Sequence, residues 1–155
     1  YRGWLDTVTH HAGETAVVEP GVDGRRWTFR ELGDAVEKRP VGDGGGIAFA
    51  RWEMGREVEF LIEVLVAWRE GAILCPLDTQ GCPPKQIFGQ EFPRSGIVHM
   101  KMTSGSTGDP KFVLFTAAQL KAEVENIVST MSLERESPNV SAISLAHSDG
   151  MSNLD

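Results

Sequence analysis

The stretch from Ile47 to Leu77 constrains the fold more than any other part of the chain. Ile47-Ala48-Phe49-Ala50 is short, apolar and β-prone, and reads as a buried strand. Glu53 to Glu70 reads as a helix with Gly71 as its C-terminal stop. Ala72-Ile73-Leu74-Cys75-Pro76-Leu77 is a second apolar strand. Strand, helix and strand in this length predict a right-handed parallel βαβ unit. The apolar residues Val58, Phe60, Ile62, Val64, Leu65 and Trp68 cover more than one stripe of the helix. Such a helix is expected to lie buried between layers.

Met102-Thr103-Ser104-Gly105-Ser106-Thr107-Gly108-Asp109-Pro110-Lys111 carries the chemistry. Gly105 and Gly108 let the backbone turn tightly and approach a ligand. Successive N–H groups in such a turn make a concave nest for an anion. Ser104, Ser106 and Thr107 add hydroxyl donors, and Lys111 adds a mobile positive charge. The combination suits a polyphosphate. It is not a Walker loop, because Gly-Lys-Ser/Thr is missing and no helix follows. Ile97 to Met102 and Phe112 to Phe115 both read as strands, so the loop is expected to join two strands. From composition alone, a plain turn accounts for these residues about as well.

The order of residues decides between those two. Thr103 to Lys111 resembles the phosphate loop of the adenylate-forming (AMP-binding) enzymes, a superfamily of acyl- and aryl-CoA synthetases, peptide-synthetase adenylation domains and luciferases. Ala67 to Asp78 is similar to the family segment in which a helix ends at a glycine and a strand reaches Pro-Leu-Asp. The hairpin followed by Trp27-Thr28-Phe29-Arg30-Glu31-Leu32 resembles the family's N-terminal region. A departure lies between Thr79 and Lys101. Most members place another helix and strand there, whereas Gly81, Pro83, Pro84, Gly89, Pro93 and Gly96 leave room for one short helix near Pro84 to Phe88. This shortening looks like a divergent acyl-CoA-synthetase-like branch.

The other segments fit an α/β domain. Tyr1 to His11 reads as a short helix with Trp4, Leu5 and Val8 on one face. Its His10 and His11 point in different directions, and no third ligand is spaced to help, so no metal site is expected. Ala16 to Glu19 and Arg25 to Thr28 flank a Pro/Gly/Asp turn and read as a β-hairpin. Thr28 and Glu31 form a capping box for a helix to about Lys38, with Phe29, Leu32 and Val36 on its apolar side. Gly42, Gly44, Gly45 and Gly46 lack dinucleotide-loop spacing and precede a strand, so they read as a connection. Thr116 caps a helix from Ala117 to about Met131. Its stripe of Leu120, Val124, Ile127, Val128 and Met131 reads as a core face. The fold expected is therefore α/β: a mostly parallel sheet flanked by helices, with a small hairpin near the N-terminus.

Val140 to Leu145 reads as a further strand, which places His147 at a strand's C-terminal end, where open α/β sheets bind ligands. Without a family in view, His147 is as well explained by a hydrogen bond at a helix start. The stretch resembles the family motif of a strand, His, two residues and Gly, so His147 and Gly150 take the family positions beside the acyl pocket. Many members carry an aromatic residue where Asp149 stands. The resemblance runs along all 155 residues and corresponds to the first part of a family member. The chain is thus expected to be one N-terminal subdomain, 1–155, of a larger AMP-binding domain, and inactive alone.

The resemblance implies an ATP-dependent acid–thiol ligase that uses ATP and Mg²⁺ and, as co-substrate, CoA. Thr103, Ser104, Gly105, Ser106, Thr107, Gly108 and Lys111 would bind ATP, and Lys111 and His147 would be the catalytic pair. The carboxylic acid is expected to be fatty or aryl. Two other readings stay open: a nucleotide-binding pseudoenzyme of the same fold, and an unrelated phosphate-binding domain with a helix directly after Lys111. A net charge of -7 leaves no electrostatic footprint for nucleic acid. No apolar run reaches a membrane span. Cys75 and Cys82 read as reduced thiols in a cytoplasmic protein. Apolar surface left open on such a subdomain makes a homodimer plausible.

Overall fold

In the computed structural model, residues 1–20, 24–42, 45–78, 96–103, 111–134 and 145–146 are described. The order of elements is α1 (Arg2–His11), β1 (Thr15–Val18), β2 (Arg26–Thr28), α2 (Phe29–Glu37), β3 (Ile47–Arg51), α3 (Glu57–Arg69), β4 (Ile73–Leu77), β5 (Ile97–Thr103), β6 (Lys111–Thr116) and α4 (Ala117–Met131). The strands β1 and β2 pair antiparallel as the small hairpin. The main sheet has the order β3-β4-β5-β6, with β3, β4 and β5 parallel and β6 antiparallel to β5. The expected α/β architecture with a mostly parallel sheet is the one observed.

The helix α3 organises the packing. One of its sides carries Phe60, Val64 and Ala67 into a cluster with Ala50, Ala72 and Leu74 of the sheet region. Its other side carries Val58, Ile62 and Leu65 into a second cluster with Leu32 and Val36 of α2, joined by Trp4, Val17 and Trp27. This explains the excess of apolar positions in its sequence: the helix is sandwiched. Burying each of these side chains stabilises by roughly 1.5–3 kcal/mol. Ile73, Cys75, Leu77 and Met100 gather in a third cluster with Phe112 and Leu114.

Local chemistry sets the boundaries. Thr28 Oγ1 accepts from the Glu31 N–H, and the Glu31 carboxylate accepts from the Thr28 N–H, completing the capping box of α2. Thr116 and Gln119 build the same box on α4, which follows β6 without a connecting residue. Gly71, at φ +66°, ends α3 in the left-handed conformation. Gly45 and Gly46 form the approach to β3: the Gly45 N–H donates to the Glu70 carbonyl, and the Gly46 carbonyl accepts from the Ile73 N–H. They are the structural connection expected.

Four expectations need correcting. The helix α3 begins at Glu57 and not at Glu53, because Gly55 sits at φ +80° and donates its N–H to the Glu57 carboxylate, which breaks the helix path. Ile47, Ala48 and Phe49 of β3 are only half-buried, because among the described residues β3 ends the sheet's strand order. Leu5 of α1 faces outward at 45% exposure, whereas Trp4 joins the core and Val8 is half-buried beside Gly33 of α2. The α4 stripe is not a closed core face: Leu120 is buried, but Val128 and Met131 are 42% and 65% exposed. The short helix expected at Pro84 to Phe88 lies outside the described residues, as do Val140 to Ser144.

Candidate functional site

The site is built where the parallel strands end. Arg51, Leu77 and Thr103 close β3, β4 and β5 at the same edge of the sheet. Beyond them the Trp52 N–H still donates to the Leu77 carbonyl at 2.9 Å. The strand β6 starts from this edge and runs back antiparallel, with Thr103 opposite Lys111 as the outermost register pair. The Ser/Gly/Thr segment is thus flanked by two paired antiparallel strands, as the β-prone residues on either side predict. A strand and not a helix follows Lys111, which removes the motivation for the unrelated phosphate-binding reading.

The predicted site residues divide in two groups. Thr103 is the last residue of β5, and Lys111 is the exposed first residue of β6. The structure brings these two together at the loop's base. Ser104, Gly105, Ser106, Thr107, Gly108 and His147 lie outside the described residues, as do Asp149 and Cys82. Leu145, two residues before His147, is buried at 5% exposure in the cluster with Ala50 and Phe60.

Sequence reasoning missed a polar group under the hairpin. His99 of β5 is fully buried, and among the described residues neither ring nitrogen has a hydrogen-bond partner. Burial, reinforced by the nearby Lys101 charge, pushes its pKa down to about 4, so the ring is neutral at pH 7. The Phe115 ring of β6 lies 6.1 Å from the His99 ring and 5.0 Å from Lys101 Nζ. Lys101 Nζ also lies 3.8 Å from Glu123 Oε1 of α4. A histidine and a lysine alternating with Met100 and Met102 were the available signal, because a strand expected in the core carries such residues only with a purpose.

Other groups have structural roles. Burial pushes the Cys75 thiol up to about 11, so it stays protonated and is no nucleophile. His10 Nδ1 lies 2.7 Å from the Asp6 carbonyl, and His11 Nδ1 lies 2.7 Å from the Glu14 carboxylate. Among the described residues no group of three His, Cys, Asp or Glu side chains is placed to hold a metal. No helix among them is long and apolar enough to cross a membrane. A cavity of about 310 Å³, lined by Trp68, Ala72, Val98, Leu120 and Val124 among others, opens at the opposite end of the sheet, beside the starts of β4 and β5. It is not where the loop is.

No family model matches the sequence, and no curated protein matches it. Solved structures do match. O-succinylbenzoate CoA synthetase (MenE) from Bacillus subtilis, in complex with AMP, aligns over 97% of this chain and 51% of its own, at 15% identity and TM-score 0.72. It has also been solved with its acyl-adenylate intermediate. The fold is that of the adenylate-forming enzymes. The N-terminal domain of FACL13 from Mycobacterium tuberculosis shares this adenylate-forming fold over 97% of this chain and 52% of its own, at 17% identity and TM-score 0.73. VinN matches over 97% and 52%, at 15% identity and TM-score 0.72. The chain spans about half the length of these structures. At such identities the likeness lies in the adenylate-forming fold itself.

Proposed function

We propose that this chain is the N-terminal subdomain of an ATP-dependent carboxylate-activating enzyme, with Thr103 to Lys111 as the loop that holds the ATP phosphates. The observation that carries the reading is the Thr103–Lys111 register pair. It sets Thr103 and Lys111, the two ends of the Ser/Gly/Thr-rich segment, at the carboxyl ends of three parallel strands, on a fold shared with MenE, which supports the reading.

The chemistry follows from what the loop offers. A carboxylate oxygen attacks the α-phosphorus of ATP, the bond to the β-phosphate bridge breaks, and pyrophosphate leaves. Negative charge grows on the departing phosphates. Backbone N–H groups and the hydroxyls of Ser104, Ser106 and Thr107 would hold them, and the Lys111 ammonium would neutralise them. Mg²⁺ would be carried on the phosphate oxygens. MenE has been solved with ATP and magnesium ion, which supports both groups for this fold. His147 would lie beside the acyl group, and a thiol, CoA in this reading, would attack the acyl-adenylate and release AMP. A fatty or aryl acid is the substrate class; the MenE match favours the aryl side. A cytoplasmic setting fits ATP and CoA chemistry, and a homodimer would cover the open α4 stripe.

The test is carboxylate-dependent exchange of pyrophosphate into ATP by the full-length natural protein, with fatty, aromatic and amino acids. Exchange with one class establishes adenylation and names the substrate class. ATP binding without exchange for any acid favours the pseudoenzyme reading. That reading is motivated by Asp149 at an often aromatic position and by the short segment from Thr79 to Lys101.

A further inference from the structure

Lys101 stands two residues before the end of β5, where the candidate phosphate loop begins. Its side chain is only 15% exposed. Nζ lies 3.8 Å from Glu123 Oε1 on α4 and 5.0 Å from the centre of the Phe115 ring on β6. One ammonium therefore touches the strand that enters the loop, the strand that leaves it and the helix that follows. On the same strand His99 is buried, with neither ring nitrogen partnered among the described residues, so this side of the β5–β6 pair spends apolar space on polar groups.

Packing alone does not account for this lysine. Withdrawing an ammonium from water costs free energy that an ion pair and a ring face only partly return. A methionine would fill the same volume without that cost. What the lysine adds is geometry: a point charge has its minimum where the carboxylate and the ring face coincide, whereas a flexible thioether accepts many arrangements. Fixed geometry has value at the base of a loop that must present several donors to one polyphosphate at once.

We propose that Lys101 is a positioning residue at the base of the candidate phosphate loop: held between Glu123 and Phe115, it fixes how β5 and β6, and with them Thr103 and Lys111, are set against α4. The inference rests on the phosphate-loop reading above, and it assigns Lys101 no contact with ATP.

The experiment uses the full-length natural protein and measures KM for ATP and kcat in pyrophosphate exchange, with Tm alongside. Lys101→Met is expected to raise KM for ATP about fivefold, to change kcat less than about twofold and to keep Tm near wild type. Lys101→Arg is expected to restore KM to within about twofold, because charge and ring stacking are kept. Glu123→Gln, which leaves the lysine in place, is expected to reproduce the KM increase and serves if Lys101→Met fails to fold. An unchanged KM in Lys101→Met overturns the proposal. So does a KM increase that follows a fall in Tm and is not rescued by Arg, since that marks a purely structural lysine. If wild type shows no exchange with any acid, the catalytic reading fails, and titration with ATP alone decides the rest. Weaker ATP binding by Lys101→Met sustains the positioning role, equal binding overturns it, and no binding by wild type removes the phosphate-loop reading and the proposal together.

Discussion

The Arg69 guanidinium donates from Nη1 to the Val36 carbonyl at 2.6 Å. Its Nη2 reaches the Arg39 and Pro40 carbonyls, and Nε donates to the Glu70 carboxylate. Arg69 ends α3, and these carbonyls belong to the C-terminal end of α2 and the residues after it. One planar fork therefore ties the end of α3 to three carbonyls at and after the end of α2, adding a second donor to Val36, which also accepts from the Arg39 N–H. Arg69→Met removes the side-chain donor from these carbonyls, of which Val36 keeps the Arg39 N–H, and leaves Glu70, 12% exposed, without its cation. Unfolding in urea should show a loss of about 3 kcal/mol, with Arg69→Lys recovering only part of it.

Acid should unfold the protein partly through His99. Its folded pKa lies near 4, below the ordinary value of 6.5, so the unfolded chain takes up the proton first as pH falls. The stability it contributes is complete above pH 6.5 and is lost as pH drops towards 4. The size is about 3 kcal/mol across that window. His99→Met should flatten this part of the stability–pH curve and cost little at pH 7, because the buried ring has no hydrogen bond to lose among the described residues. Urea midpoints at pH 7, 5.5 and 4.5 check it. An equal slope in variant and wild type would falsify the assignment.

Two glycines should respond oppositely to alanine. Gly71 holds φ +66°, so Gly71→Ala strains the end of α3 although no atom blocks the new methyl group. A loss of about 1 kcal/mol is expected. Gly3 lies inside α1, where a methyl group also meets nothing, and Gly3→Ala should raise Tm by improving helix propensity, by up to about 1 kcal/mol of stability. Paired thermal melts separate backbone conformation from crowding as the cause.

On the proposed reading, Lys111→Ala in the full-length protein should lower carboxylate-dependent exchange at least about tenfold, because the departing phosphates would lose a counter-charge. Its side chain is exposed at the start of β6, so Tm should hold. A variant with wild-type exchange would remove Lys111 from the phosphate site.

Much of this fold is legible in the sequence because it rests on local signals. The α4 helix runs from Ala117 to Met131 as its period and the Thr116 cap indicate. The two apolar stripes of α3 announce two packing partners, and both exist. The hairpin around the candidate loop follows from β-prone residues on each side. What sequence could not show depends on distant partners. Gly55 looks like any helical glycine until its positive φ is seen, and the exposure of β3 depends on strand order. Arg69 caps a helix that ends some thirty positions earlier, and no spacing rule links it to Val36. In the candidate site, Thr103 and Lys111 were readable as motif members. Lys101 and His99 left one sequence signal, their alternation with Met100 and Met102, but their partners Glu123 and Phe115 lie beyond any spacing rule.

The two-sided helix α3 also governs how the molecule comes apart. Its 13 residues carry side chains of two separate clusters. Melting it uncovers the sheet and the α2–hairpin layer together, so neither can open while the other stays shut. The N-terminal hairpin should therefore exchange its amide hydrogens with the same protection as β3 and β4, in one cooperative transition, despite pairing with no strand of the main sheet.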